Sequence, residues 1–173
     1  IYHTIGSSFD DVLIGNDGEN RLLGGAGDDV IDGGGGMNDV VDYRDAKGGV
    51  TVDLNAGTSS GAGGNDTLLN IEWVEGSEYD DVIIGDEQRN VLSGNRGNDT
   101  LYGGGGDLLS GGIGSDTFCV ELVISGITLK LNDEVSSDYI YDTDTLKLRT
   151  GGDLALLTPH TMAINAASGI INQ

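Results

Sequence analysis

The side chains best placed to do chemistry in this chain are aspartates that return every nine residues. From Gly24 to Asp32 the sequence reads GGAGDDVID, and from Gly111 to Cys119 it reads GGIGSDTFC; both fit GGxGxDxUx, with U a large apolar residue. Weaker copies lie in phase around them: GSSFDDVLI from Gly6, GNDGENRLL from Gly15, GAGGNDTLL from Gly61, GSEYDDVII from Gly76, GDEQRNVLS from Gly85 and GNRGNDTLY from Gly94. One copy gains a residue between Gly33 and Asp42, and one loses a residue between Gly103 and Ser110. Carboxylates recurring beside glycine turns suit a hard divalent cation, because Ca²⁺ takes six to eight oxygens at about 2.3–2.6 Å from carboxylates and backbone carbonyls alike.

Other chemistries fit less well. A solvated acidic surface would explain the charge but would not keep a nine-residue phase. A glycosidase needs one carboxyl pair with one member's pKa raised, whereas here the same pair repeats along the chain. The runs Gly33 to Gly36 and Gly103 to Gly106 lack the GKS or GKT ending of a phosphate loop and are edged with Asp. His3 and His160 have no HExxH or HxH spacing for zinc. Cys119 stands at the ninth position of the last good repeat and reads as a small structural thiol rather than a nucleophile. Trp73 and Tyr79 could stack on sugar or could plug an irregular coil. No constellation of catalytic residues is present, so the chain is not expected to be an enzyme itself.

The elements that must position the aspartates follow from the period. Nine residues make a tight turn of six and a strand of three, with the eighth residue inward and its neighbours toward solvent. Leu13, Leu22, Ile31, Val41, Leu68, Ile83, Leu92, Leu101, Leu109 and Phe118 then form the core. Two nonapeptides make one coil, so residues eighteen apart stack about 4.8 Å from each other. That brings Asp11 over Asp29, Asp81 over Asp99 and, with the deletion absorbed, Asp99 over Asp116. Carboxylates so close repel each other unless a cation lies between them, and a whole row implies several Ca²⁺ ions.

A longer period confirms the shorter one, since residues 1–36 align without gaps on residues 71–106. The blocks bracket an insert from about Tyr43 to Ser60, whose Val50, Val52 and Leu54 alternate like one more strand with a non-standard turn. The roll is therefore expected to continue through a non-canonical coil at 43–60. After Cys119 the repeat stops. Residues 120–173 alternate at Ile127, Leu129 and Leu131 and again at Leu146 and Leu148, which suggests a cap of short antiparallel strands over the open end. The last stretch, LALLTPHTMAINAASGIINQ, fits strand or helix. The expected division is thus a roll over 1–119 and a C-terminal cap over 120–173.

Composition agrees with a metal-dependent fold. The 173 residues include 31 glycines, 5% aromatics and 29 Asp and Glu against 8 Lys and Arg, a formal net charge of −21. So much glycine raises the entropy cost of folding, and so much like charge opposes compaction. The same charge argues against nucleic acid and anionic membrane surfaces as partners. No apolar run is long enough to span a bilayer, and one cysteine excludes an internal disulfide. The sequence opens mid-pattern with IYHTI, without an initiator Met or signal peptide, as expected for a fragment of a longer polypeptide.

The motifs GGAGDDVID, GNRGNDTLY and GGIGSDTF resemble the RTX (repeat-in-toxin) calcium-binding family, over roughly residues 6–119. The resemblance implies an all-β fold, a right-handed parallel β-roll, in a bacterial extracellular protein exported by a type I (ABC transporter) apparatus and folded only when it meets calcium. It implies carboxylate or amide ligands at Asp11, Asn20, Asp29, Asp39, Asp66, Asp81, Asn90, Asp99, Asp107 and Asp116. Carbonyls would come from turn residues at Gly25, Gly27, Gly34, Gly36, Gly97, Gly104, Gly106, Gly112 and Gly114. Asn20 and Asn90 depart from the motif, and a neutral monodentate amide predicts weaker or empty sites there; GSSF and GSEY lack its later glycines. Two roles are open: an accessory module serving secretion, folding and stability of a larger enzyme, toxin or adhesin, or a module that binds an acidic polysaccharide such as alginate, as in mannuronan epimerases. The second wants a basic stripe, for which the roll offers only Arg21, Arg44, Lys47, Arg89 and Arg96.

Overall fold

A computed structural model describes residues 2–104 and 106–119, and the backbone of 120–125, 128–131, 134–135, 145–150, 153–156, 163–165 and 170–172. Among the described residues there is no helix. The chain winds into a parallel β-solenoid of two facing sheets. One sheet stacks β1 (Tyr2–Ile5), β3 (Asn20–Leu23), β5 (Val40–Asp42), β9 (Trp73–Glu75), β11 (Val91–Arg96), β13 (Leu108–Ile113) and β16 (Glu134–Val135), all parallel. The other contains β2 (Val12–Ile14), β4 (Val30–Asp32), β6 (Val50–Asp53), β7 (Thr58–Gly61), β8 (Thr67–Leu69), β10 (Val82–Ile84), β12 (Thr100–Tyr102) and β14 (Thr117–Ser125).

Each three-residue strand sends its middle side chain inward, as period-two geometry requires. Leu22, Val41, Val74, Leu92 and Leu109 line one sheet's inner face, and Leu13, Ile31, Leu68, Val52, Ile83, Leu101 and Phe118 the other's; all are buried. The register keeps like on like: Leu13 pairs with Ile31, Leu22 with Val41, and Ile83 with Leu101, which pairs in turn with Phe118. All ten expected core residues belong to this cluster, which Val50, Val52, Ile71 and Val74 extend.

One apolar side chain per strand makes each one count. Leu92 is fully buried and registered between Val74 and Leu109. Leu92→Ala is expected to destabilise the calcium-loaded roll by about 2–5 kcal/mol, the usual cost of such a cavity. Chemical denaturation at saturating calcium reads the change.

The insert departs from the expected single strand. β6 forms where Val50 and Val52 alternate, and pairs parallel with β10. It then turns back through β7 to β8, antiparallel at both junctions, and β8 pairs parallel with β4. The second sheet therefore carries three strands between β4 and β10 where the first carries only β5 between β3 and β9. β7 reads Thr-Ser-Ser-Gly, without an apolar alternation to announce it.

Beyond residue 125, β17 (Thr145–Thr150) continues the second sheet in parallel, while β15 (Thr128–Leu131) pairs antiparallel with β14 and β18 (Asp153–Leu156) with β17. β19 (Ala163–Asn165) and β20 (Ile170–Asn172) form an antiparallel pair, so strand prevails wherever the final stretch is described. Ile127 and His160 lie outside the described residues.

Candidate functional site

The turns that connect the sheets lie in two rows along the solenoid. In the turns leading into the second sheet, the sixth-position carboxylates of Asp29, Asp66, Asp99 and Asp116 each accept the backbone N–H of the counterpart one coil earlier. Asp11 N donates to Asp29 Oδ1 at 2.9 Å, Asp29 N to Asp66 Oδ1 at 3.0 Å, Asp81 N to Asp99 Oδ1 at 2.8 Å and Asp99 N to Asp116 Oδ1 at 2.8 Å. The opposite row repeats the scheme: Asn20 N donates to Asp39 Oδ1 at 2.8 Å and Asn90 N to Asp107 Oδ1 at 2.8 Å. The expected stacking of Asp11 on Asp29, Asp81 on Asp99 and Asp99 on Asp116 is therefore present, and these rows also join residues nineteen and seventeen apart where the repeat slips.

Burial makes the rows energetically demanding. Asp29, Asp39, Asp66, Asp81, Asp99, Asp107 and Asp116 are each at most 3% exposed. One oxygen of each is held by the backbone, yet the Oδ2 atoms of Asp29 and Asp99 are buried without a hydrogen-bond partner. A buried charged oxygen without a partner costs several kcal/mol, so an ion there is strongly favoured. Burial pushes the Asp99 carboxyl up to about 8, helped by the like charges of Asp81 and Asp116 and opposed by the Asp81 N–H. Burial likewise raises Asp29 and Asp81.

Glycine supplies the room. At Gly94 a Cβ would run into Asp99 Oδ2 and would come within 2.6 Å of the Gly111 carbonyl oxygen, so only a hydrogen there lets carboxylate and carbonyl share the space between turns. Of the glycines expected to offer carbonyls, Gly25, Gly27, Gly34, Gly36, Gly97, Gly106, Gly112 and Gly114 have positive φ, while Gly104 instead donates its N–H to Asp107 Oδ2 at 2.7 Å. Among the described residues no three of His, Cys, Asp and Glu converge on one point. A cation here must draw on carboxylates of successive turns and complete its shell with carbonyls, a donor set of hard oxygens that fits Ca²⁺.

The turns that depart from the motif at Ser7, Asn20 and Ser77 are satisfied internally, and the turn at Asn90 only in part. In the first coil of each block a serine replaces the second glycine: Ser7 N and Oγ donate to Asp11 Oδ2, and Ser77 N and Oγ donate to the Asp81 carboxylate. The serine bonds hold Asp11 below the usual carboxylate range. Asn20 Nδ2, with two protons to donate, has four acceptors within 3.2 Å, the carbonyls of Asn16, Gly18 and Gly33 and Asp39 Oδ1. At Asn90 the amide oxygen accepts from Asp86 N, while Nδ2 is buried without a partner.

One member of the rows escaped the sequence reading. Asp39 N donates to Glu72 Oε2 at 3.0 Å, so Glu72 holds the acid position of its coil although no glycine motif precedes it. The signal was available, because Glu72 stands eighteen residues before Asn90. Trp73 stands half-buried on the outward side of β9 between Val40 and Val91, so it does not fill the coil's interior, and Tyr79 is exposed in a turn. Cys119 is buried and His3 exposed.

Two rows of buried carboxylates, bare oxygens and glycine turns on a parallel solenoid define a metal-binding repeat protein. Residues 5–40, 75–107 and 89–118 match the RTX calcium-binding nonapeptide repeat, in four copies. The repeats in those segments are of that family, and they support a calcium-binding module. No curated protein matches the chain.

Proposed function

We propose that the chain is the calcium-responsive part of a larger secreted bacterial enzyme, toxin or adhesin, and that it supports export, folding and stability rather than catalysis. The observation that carries this reading is the pair of buried, unpartnered oxygens at Asp29 and Asp99. Calcium would be held by Asp29, Asp39, Asp99, Asp107 and Asp116 with carbonyls of the glycine turns, and Glu72 joins them by position; Asp11, Asn20, Asp81 and Asn90 form weaker sites. Each site that binds the roll and not the unfolded chain adds RT ln(1 + [Ca]/Kd), about 2.7 kcal/mol when calcium exceeds Kd a hundredfold. At the low calcium of a cytoplasm the chain stays extended, as passage through a type I apparatus requires, and outside the cell it folds.

A module for an acidic polysaccharide is less well supported. Arg21 and Arg44 are both tied to Asp42, and Arg96 to Glu78, so three of the cations such a ligand would need are already paired.

Equilibrium dialysis against millimolar calcium tests the reading. The chain is expected to bind several ions, and Asp99→Asn fewer. A chain that takes up none would overturn it.

A further inference from the structure

The row of acidic turns breaks where the two duplicated blocks meet. Asp66 begins like the others, its Oδ1 accepting Asp29 N at 3.0 Å. Its turn also carries left-handed glycines, Gly61 at φ 123° and Gly64 at φ 114°. The difference lies at Oδ2, which is bare in Asp29 and Asp99. In Asp66 it lies 2.7 Å from Tyr43 Oη and 2.8 Å from Ser59 Oγ. Tyr43 Oη and Ser59 Oγ also lie 2.8 Å apart, and with one proton each the two hydroxyls either both donate to the carboxylate or reach it in series. Tyr43 and Ser59 are buried, so these are dry, charge-assisted bonds.

Both hydroxyls come from the insert, Ser59 on β7 and Tyr43 just after β5. The insert also sets the distance to the next acid of the row. From β8 the second sheet steps through β7 and β6 before reaching β10, and it is Val50 N, not an aspartate N–H, that donates to Asp81 Oδ1 at 2.7 Å. Three strand steps of about 4.8 Å separate the Asp66 turn from the Asp81 turn, too far for one ion to bridge with bonds of about 2.5 Å.

We propose that Tyr43 and Ser59 exclude calcium from Asp66, making this coil a metal-free joint that divides the row into two separately filled sets, Asp11 with Asp29 before it and Asp81, Asp99 and Asp116 after it. Asp66, a ligand by its phase in the repeat, is by its partners a hydrogen-bond acceptor. The inference rests on the calcium reading above.

The test counts calcium ions bound by the full chain in equilibrium dialysis. Asp66→Asn is expected to bind as many ions as the wild type, while Asp99→Asn binds fewer. The double variant Tyr43→Phe, Ser59→Ala bares Oδ2 and is expected to bind one ion more. A loss in Asp66→Asn equal to that in Asp99→Asn overturns the proposal, as does an unchanged count in the double variant. Should Asp66→Asn not fold, the double variant decides alone. A wild type that binds no ion defeats the calcium reading itself, which is a different failure from a wild type that binds ions and loses one with Asp66.

Discussion

Dialysed against EGTA, the chain is expected to lose its β-strand circular dichroism and to recover it when millimolar calcium is restored. The reason is local before it is global. Asp81, Asp99 and Asp116 follow one another along a single row, each linked to the next by an N–H to Oδ1 bond of 2.8 Å. Two unit charges about 5 Å apart repel by roughly 3 kcal/mol at an effective dielectric of about 20, and the rows repeat the arrangement on both sides of the roll. A net charge of −21 adds a longer-range term of the same sign. Against this stands a thin core to which most of the three-residue strands contribute a single inward side chain, too little to hold the coils together without the ions. Restored calcium replaces repulsion with shared coordination, so the signal returns with a midpoint set by calcium concentration. An ordered roll that persists after exhaustive chelation would remove this account.

The regular coils were legible because their chemistry and their geometry share one period. Asp29 and Asp99 each sit eighteen residues after their partners Asp11 and Asp81, and Phe118 stands seventeen after Leu101, with the one-residue deletion absorbed. The middle coil was legible only in part. Val50 and Val52 announced β6, but β7 offers Thr58, Ser59 and Ser60, which no hydrophobic pattern distinguishes from a loop. Ser59 and Tyr43 meet Asp66 across seven and twenty-three residues through antiparallel returns that a period of nine does not contain. Glu72 was hidden for a different reason. Its longer side chain reaches the same N–H from a turn without the glycine motif, so only the count back from Asn90 marks it. The ion-paired cluster around Asp42 was likewise out of view, because Arg21, on β3, joins it by cross-strand neighbourhood rather than by spacing in the chain.

Acid is expected to do part of calcium's work. In a chain freed of calcium by dialysis and kept in chelator-free buffer, lowering the pH from about 8 toward 4 should bring back strand signal, because Asp29, Glu72, Asp81 and Asp99 hold protons in the roll that they release in the unfolded chain. Burial raises Asp99 to about 8, and burial also raises Asp29, Asp81 and Glu72. For such a group the calcium-free roll is penalised as pH rises from the unfolded value, near 4, to the folded one. For Asp99 the gradient is at most about 1.4 kcal/mol per pH unit, and solvent screening reduces it. Below the unfolded value both states are protonated and the gain ends. Asp42 then acts in the opposite sense. Burial pulls its carboxyl up, but the hydrogen bonds from Arg44 and Arg21 outweigh burial and hold it below the ordinary range. Its contribution is present above the unfolded value and is lost as pH falls through the folded one. The strand signal of the calcium-free chain should therefore pass through a maximum on the acid side of neutrality and decline again at the lowest pH. With calcium bound the same acid competes with the ion for the same oxygens, so the loaded roll should weaken where the empty one strengthens. Far-ultraviolet dichroism across a pH series, with and without calcium, separates the two curves. A calcium-free signal that shows no rise between pH 8 and 4 would mean that repulsion between the stacked carboxylates is not what keeps the empty chain unfolded.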